Sequence, residues 1–196
     1  MKIVCYPHPI LAYPSKPLTK IDQPLREIVA EMFDLMYAAN GVGLAANQVA
    51  LPYQLLVMNP AGTSERKEEE CVLINPVITK RSRELREIEE GCLSFPELHL
   101  NIVRPAEVKL QAIDLSGRLC YYEWKGMKAR IAQHEIDHLN GHCFYERANY
   151  SDDPKAQRAL AGMTEVFRQA QAAGEIERDE QLKRQIAERE SERTAG

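Results

Sequence analysis

The chain has 196 residues and 22.3 kDa, 44% of them hydrophobic and 28% charged, which suits one globular domain with a short appendage and argues against several domains. Twenty-five Lys and Arg against 29 Asp and Glu give a formal charge of −4, so bulk nucleic-acid binding, DNA included, is disfavoured. Pro7 and His8 interrupt any apolar signal core, and five cysteines without CxxC spacing oppose a disulfide framework; with no stretch of membrane-span length, the expectation is a soluble intracellular protein without a membrane partner.

In chain order, Pro24 opens a segment in which Leu25, Ile28, Val29, Met32, Leu35 and Met36 recur at helical spacing, and Asn40-Gly41 closes it, predicting a helix over 24–40. Apolar runs at 53–58 and 71–78 read as buried strands. Residues 106–113 alternate, and Ser116-Gly117 turns them into a partner strand, 118–124, predicting a hairpin. A second helix is expected over 127–140, stopped by Gly141. Asp152-Asp153-Pro154 starts a third, whose stripe Leu160, Met163, Val166, Phe167 and Ala170 predicts docking on the domain. Beyond Gly174 the apolar content thins, which predicts a solvated helix or a frayed end. The fold class is therefore α+β: antiparallel strands around a central helix, a catalytic domain over 1–150 and a helical extension over 151–196.

The second helix carries His134-Glu135-Ile136-Asp137-His138. Residues four apart share a helix face, so both imidazoles can reach one metal ion while Glu135 sits beside a water on that ion. A hydrolytic site of this kind needs a third protein ligand and an open position. The pattern HExxHxxGxxH matches Gly141 but meets Phe144 where the last His should stand. Glu165 is a second candidate, and Cys92, in Glu90-Gly91-Cys92-Leu93-Ser94, a third; Gly91 there permits close backbone approach. Spacing leaves the choice open. Gly41 to Ala46 satisfies G-x-G-x-x-A, but the segment follows a helix and Pro52 leaves little room for another, so a dinucleotide site fails on context. What remains is a loop of small residues, ending in Gln48, that can approach a ligand or pack as a tight turn. Met127 and Ile131 precede His134 by seven and three residues and share its face, so they can wall an apolar slot or simply pack the helix.

Taken in order, GVGLAANQ at 41–48, EGCLS at 90–94 and QHEIDH at 133–138 resemble the three motifs of peptide deformylase, the enzyme that removes the formyl group from the N-terminal methionine of newly made bacterial and organellar proteins. The likeness runs from the N-terminus to about Tyr145. It implies Cys92, His134 and His138 as ligands of one divalent metal, Fe(II) physiologically, with Zn, Ni and Co accepted. It also implies that Glu135 takes a proton from the attacking water and returns one to the departing amine, while the Gln48 amide and the Leu93 N–H hold the formyl oxygen. Val42, Gly43, Ile88, Gly91, Met127 and Ile131 are implied around the bound peptide, and Arg104 near its backbone; Arg130 replaces an apolar residue that some relatives carry near the slot. The implied substrates are formyl-methionyl nascent polypeptides, in a bacterial cytoplasm or an organelle, with ribosome contact as a further expectation. Two competing readings are an HExxH metallopeptidase and a non-catalytic ribosome-associated factor; the tail from Ser151 carries eight cationic and ten anionic residues, a poor match to rRNA.

Overall fold

The computed structural model describes residues 1–148 and 150–194. Helix α1, Gln23–Ala38, begins where the Asp22 side chain accepts a hydrogen bond from the Leu25 N–H at 3.1 Å, with Pro24 in its first turn. Its face of Leu25, Val29, Met32, Phe33 and Met36 is buried against β1 (Gly43–Ala45) and β2 (Leu55–Met58). These two strands continue through β3 (Cys71–Arg81), β6 (Glu107–Ile113) and β7 (Leu119–Lys125) into a five-stranded sheet of order β1-β2-β3-β6-β7, antiparallel throughout. Between β3 and β6 the chain forms a separate two-stranded sheet, β4 (Leu85–Cys92) with β5 (Phe95–Pro105).

Helix α2, Gly126–Leu139, lies at the centre and packs on β1, β2, β6 and β7 and on β5 of the smaller sheet. From Ala129 to Leu139 every residue is buried, including six that are polar or charged. Burial all round a helix of such composition is sustainable only where each polar group finds a partner. The stop at Gly141 is set by the backbone: φ is 77°, and a Cβ there would lie 2.8 Å from the Ala12 carbonyl oxygen.

The expected helices and hairpin form within a few residues of their predicted bounds. The sequence reading passed over β1 and the β4–β5 pair. β5 alternates Leu98, Leu100, Ile102 and Arg104 inward, but Arg104 in phase with three aliphatics obscures the pattern. The tail differs from expectation in two ways. In α3 (Pro154–Ala172), Ala156, Leu160 and Phe167 are buried as a docking stripe requires, but Val166 is 67% exposed. The residues after Gly174 are neither frayed nor simply solvated: α4 (Asp179–Arg193) buries Leu182 and Ile186 and is tied down by polar contacts. The Tyr53 hydroxyl donates to the Arg189 carbonyl at 2.9 Å, Arg189 Nη1 donates to the Ala50 carbonyl at 2.9 Å, and Arg193 pairs with Asp22 at 2.7 Å. Two aliphatics one turn apart suffice to seat a helix when such bonds fix its register. Of the 151–196 extension, residues 195 and 196 lie outside the described residues.

Candidate metal centre and active site

A two-residue turn, Leu93-Ser94, joins β4 to β5 and pairs Cys92 with Phe95, which presents the Cys92 sulfur from the tip of the small sheet to α2. Helical spacing brings His134 and His138 to one face, and the ligating atoms of Cys92, His134 and His138 all lie within 4.8 Å of one another. Cys92 Sγ is 3.1 Å from His138 Nε2. His134 and His138 are buried and Cys92 is partly so. Among the described residues this is the single His/Cys/Asp/Glu group that could hold a metal ion. Glu165 is exposed on α3 and bonded to Gln169, and so is not part of it.

The segment after α1 supplies the second wall. Gln48 is fixed at both ends of its amide: Oε1 accepts the Ala45 N–H at 2.9 Å, and Nε2 donates to Ser94 Oγ at 3.2 Å and lies 3.4 Å from Cys92 Sγ. Its amide therefore sits beside the Cys92–His134–His138 group. Glu135 projects between this wall and the two histidines. A Cβ on Gly43 would come within 2.5 Å of Glu135 Oε1 and 2.7 Å of Ile131 Cγ2, so only glycine lets β1 approach α2 this closely. Glu135 Oε2 is buried without a protein partner, and burial pushes its carboxyl up to about 7.

Behind the histidines lies a buried set of charges. Glu90 accepts two hydrogen bonds from Arg104, Nε at 2.7 Å and Nη2 at 2.9 Å, one from Arg130 Nη1 at 2.6 Å, and lies 2.9 Å from His134 Nδ1. Arg104 Nη1 bridges onward to Asp137 Oδ2 at 2.6 Å, and Asp137 also pairs with Arg147. Burial alone would raise the Glu90 carboxyl, but the His134 and Arg104 contacts prevail and hold it at about 2. Burial likewise opposes charge on His134, yet the Cys92 sulfur and Glu90 outweigh it and carry the imidazole up to about 10. His138 moves the other way: burial, with the charges of His134 and Arg104, lowers it well below the ordinary histidine value. With Glu90 on Nδ1, the other ring nitrogen of His134 is the one that faces the Cys92 sulfur.

The expected place of Arg104 near the bound peptide is corrected here. Its side chain is 2% exposed, each of its three nitrogens is engaged by Glu90 or Asp137, and it does not border the cleft, so it faces the buried charges and not a substrate. Arg130, too, is committed to Glu90 and to the carbonyls of Ile102 and Arg86, although its side chain borders the cleft. The sequence alone assigns no role to Glu90 or Asp137, which lie inside the second and third motifs. The available signal was the inward phase of Arg104 on β5, since a buried guanidinium requires carboxylates.

A cleft of about 600 Å³ opens over this group. Gln48, Leu93, Cys92, His134 and Glu135 line it, as do Val42, Gly43, Ile88, Gly91, Met127 and Ile131. Ile88 and Met127 are 43% and 53% exposed, so they form an open apolar flank, with the buried Ile131 beneath. The backbone at Gly91 stays accessible because no side chain shields it; a Cβ there would meet His99 Nε2 at 2.9 Å.

Residues 1–154 match the family described as Polypeptide deformylase. A chloroplastic peptide deformylase 1B of Oryza sativa subsp. japonica is 47% identical over 147 residues, covering 75% of this chain and 54% of that protein. A peptide deformylase of Rhodopirellula baltica is 38% identical over 100% of this chain and 96% of its own. The chain thus spans about half the length of the rice relative and nearly all of the Rhodopirellula one. Among solved structures, the Arabidopsis thaliana peptide deformylase 1B in complex with an inhibitor superposes with a TM-score of 0.83, with 40% identity over 88% of this chain and 94% of that one. At these identities and coverages, the chain belongs to the polypeptide deformylase family.

Proposed function

We propose that the protein is a peptide deformylase: a metal-dependent hydrolase that removes the N-formyl group from the terminal methionine of nascent polypeptides and releases formate. The observation that carries this reading is the convergence of Cys92, His134 and His138 at one end of a cleft whose flank is apolar. Family membership favours it over the endopeptidase and the non-catalytic readings. The donor set suits a resident divalent cation, because one sulfur and two imidazoles converge in a largely buried place beside the cleft. Cys92, His134 and His138 would hold it, with Fe(II) as the physiological ion and Zn, Ni or Co as substitutes. When bound there, such an ion supplies Lewis acidity and makes water nucleophilic at neutral pH.

The chain's own residues account for the remaining steps. Glu135, its carboxyl raised into the neutral range by burial, accepts the proton of the attacking water and delivers one to the departing α-amine of methionine. The Gln48 amide, held by Ala45 and Ser94, and the Leu93 N–H at the β4–β5 turn are placed to receive the charge that develops on the formyl oxygen; one such donor is worth about 2.7–4 kcal/mol of transition-state stabilisation. Glu90 fixes the tautomer and tilt of His134. Ile88, Met127 and Ile131 offer the methionine side chain an apolar surface, while the exposed backbone edges at Val42–Gly43 and Gly91 suit an extended peptide.

No helix of the described residues is long and apolar enough to cross a membrane. Relatives named as chloroplastic and bacterial deformylases support an organelle or a bacterial cytoplasm as the place of the reaction. Ribosome contact is a separate expectation, read by co-sedimentation at low and high salt. The deciding experiment purifies the protein anaerobically and measures metal content and formate release from formyl-Met-Ala-Ser. Wild type should carry about one metal per chain and release formate; Glu135→Gln should keep the metal and lose turnover, and Cys92→Ala should lose both. Equal formate release by wild type and Glu135→Gln refutes the assignment.

A further inference from the structure

A second concavity, of about 460 Å³, runs between the N-terminal segment and the C-terminal helices. Its walls are Ile3 and Cys5 on one side and Val166, Phe167, Ala170 and Ile176 on the other. Phe167 forms part of a buried floor, with its ring edge-on to His8 at 6.2 Å, whereas Val166 is 67% exposed. Pro96 belongs to the walls of both this groove and the catalytic cleft, so the two adjoin across a single residue. The N-terminal segment that edges the groove is also bonded to the catalytic motifs, Val4 N–H to the Gln48 carbonyl at 2.8 Å and Tyr6 N–H to the Ser94 carbonyl at 3.0 Å. Its position relative to the metal-ligating group is therefore fixed.

We propose that this groove binds apolar side chains of the substrate polypeptide beyond its first three residues, as an extension of the deformylase site. The inference rests on the deformylase reading. Its reason is continuity: the substrate is a chain that has to leave the cleft, and the apolar groove adjoins that cleft at Pro96. The size agrees, since a concavity of about 460 Å³ takes a few side chains of an extended segment, whereas a second folded copy needs about 800 Å² of matching surface per partner. The charged residues of its lining are Lys2, Glu175 and Glu177, a net single negative charge among otherwise mostly apolar walls, so an uncharged apolar side chain is the ligand this surface suits and side-chain hydrophobicity sets the preference. It would act through KM, because the groove lies outside the reacting atoms.

The test compares three formylated peptides on the metal-loaded protein: formyl-Met-Ala-Ser, the same peptide extended by about five Gly/Ser residues, and the same extension carrying two Leu. The Leu-bearing peptide should show a KM about fivefold to tenfold lower than the Gly/Ser one at equal kcat, the gain expected from partly burying aliphatic side chains. Val166→Glu should remove that gain and leave formyl-Met-Ala-Ser kinetics unchanged. Absence of a Leu-dependent gain, or a gain that survives Val166→Glu, overturns the proposal. So does a change of oligomeric state in Val166→Glu with unaltered peptide preference, which would assign the groove to a second copy. No formate from any of the three peptides would instead defeat the deformylase reading itself.

Discussion

Gly43→Ala tests the active-site geometry most directly, because a single added methyl is aimed at the proposed proton shuttle. Its Cβ would stand 2.5 Å from Glu135 Oε1 and 2.7 Å from Ile131 Cγ2, about 1 Å inside ordinary van der Waals contact. Ile131 is β-branched, 4% exposed and locked in the helix face, so it has little room to turn. The Glu135 carboxylate, at the end of a longer side chain, is the group that gives way. A displacement of about 1 Å at a reacting group costs on the order of 100-fold in rate, or about 2.7 kcal/mol of barrier. The backbone cost is small, since Gly43 is an extended strand residue and not one with positive φ. We therefore expect kcat for formate release from formyl-Met-Ala-Ser to fall about 100-fold, with metal content and the folded circular-dichroism spectrum retained. A folded, metal-replete Gly43→Ala enzyme within threefold of wild-type kcat would refute the claim that β1 and Glu135 are fitted to each other.

Two further outcomes follow from charge. Arg104→Met leaves Glu90 without its bidentate partner and Asp137 without one of its two cations; breaking a buried ion pair from one side should lower stability by about 3–5 kcal/mol, read as the urea midpoint, and a loss under about 1 kcal/mol would show that Arg130 and Arg147 suffice. Burial lowers His8 to about 4, so the folded protein binds this proton less readily than the unfolded chain. Its stabilisation is complete above the ordinary histidine value of about 6.5 and is lost as pH falls towards 4. After allowance for partial exposure it amounts to about 2 kcal/mol, so between pH 7.5 and 4.5 wild type should lose more stability than His8→Asn, and parallel pH profiles would count against it.

The elements most legible in the sequence were those with a single unbroken period. α1 has one apolar stripe and a side-chain cap, the β6–β7 hairpin alternates up to a Ser-Gly turn, and α2 carries its histidines four apart, which settles by helix geometry alone that they face one way. The small sheet was illegible for the opposite reason. Its strands mix Glu, Arg and Gly into the inward and outward phases, and whether Arg104 points in or out depends on carboxylates that come from a neighbouring strand and from α2. The docking of the second terminal helix was illegible because its anchors, Tyr53, Ala50 and Asp22, lie more than 130 residues away in the chain.

Local pattern therefore determined the helices, the hairpin and the shared face of His134 and His138. Tertiary structure decided the rest: that Cys92, 42 residues upstream of His134, meets those rings; that Arg104 is a buried brace and not a surface contact; and that β1 presses on Glu135. The physical reason is range. Helical and strand periods are fixed by backbone geometry over a few residues, whereas convergence of groups from separate elements is fixed by which surfaces pack together, and that information is spread over the whole chain.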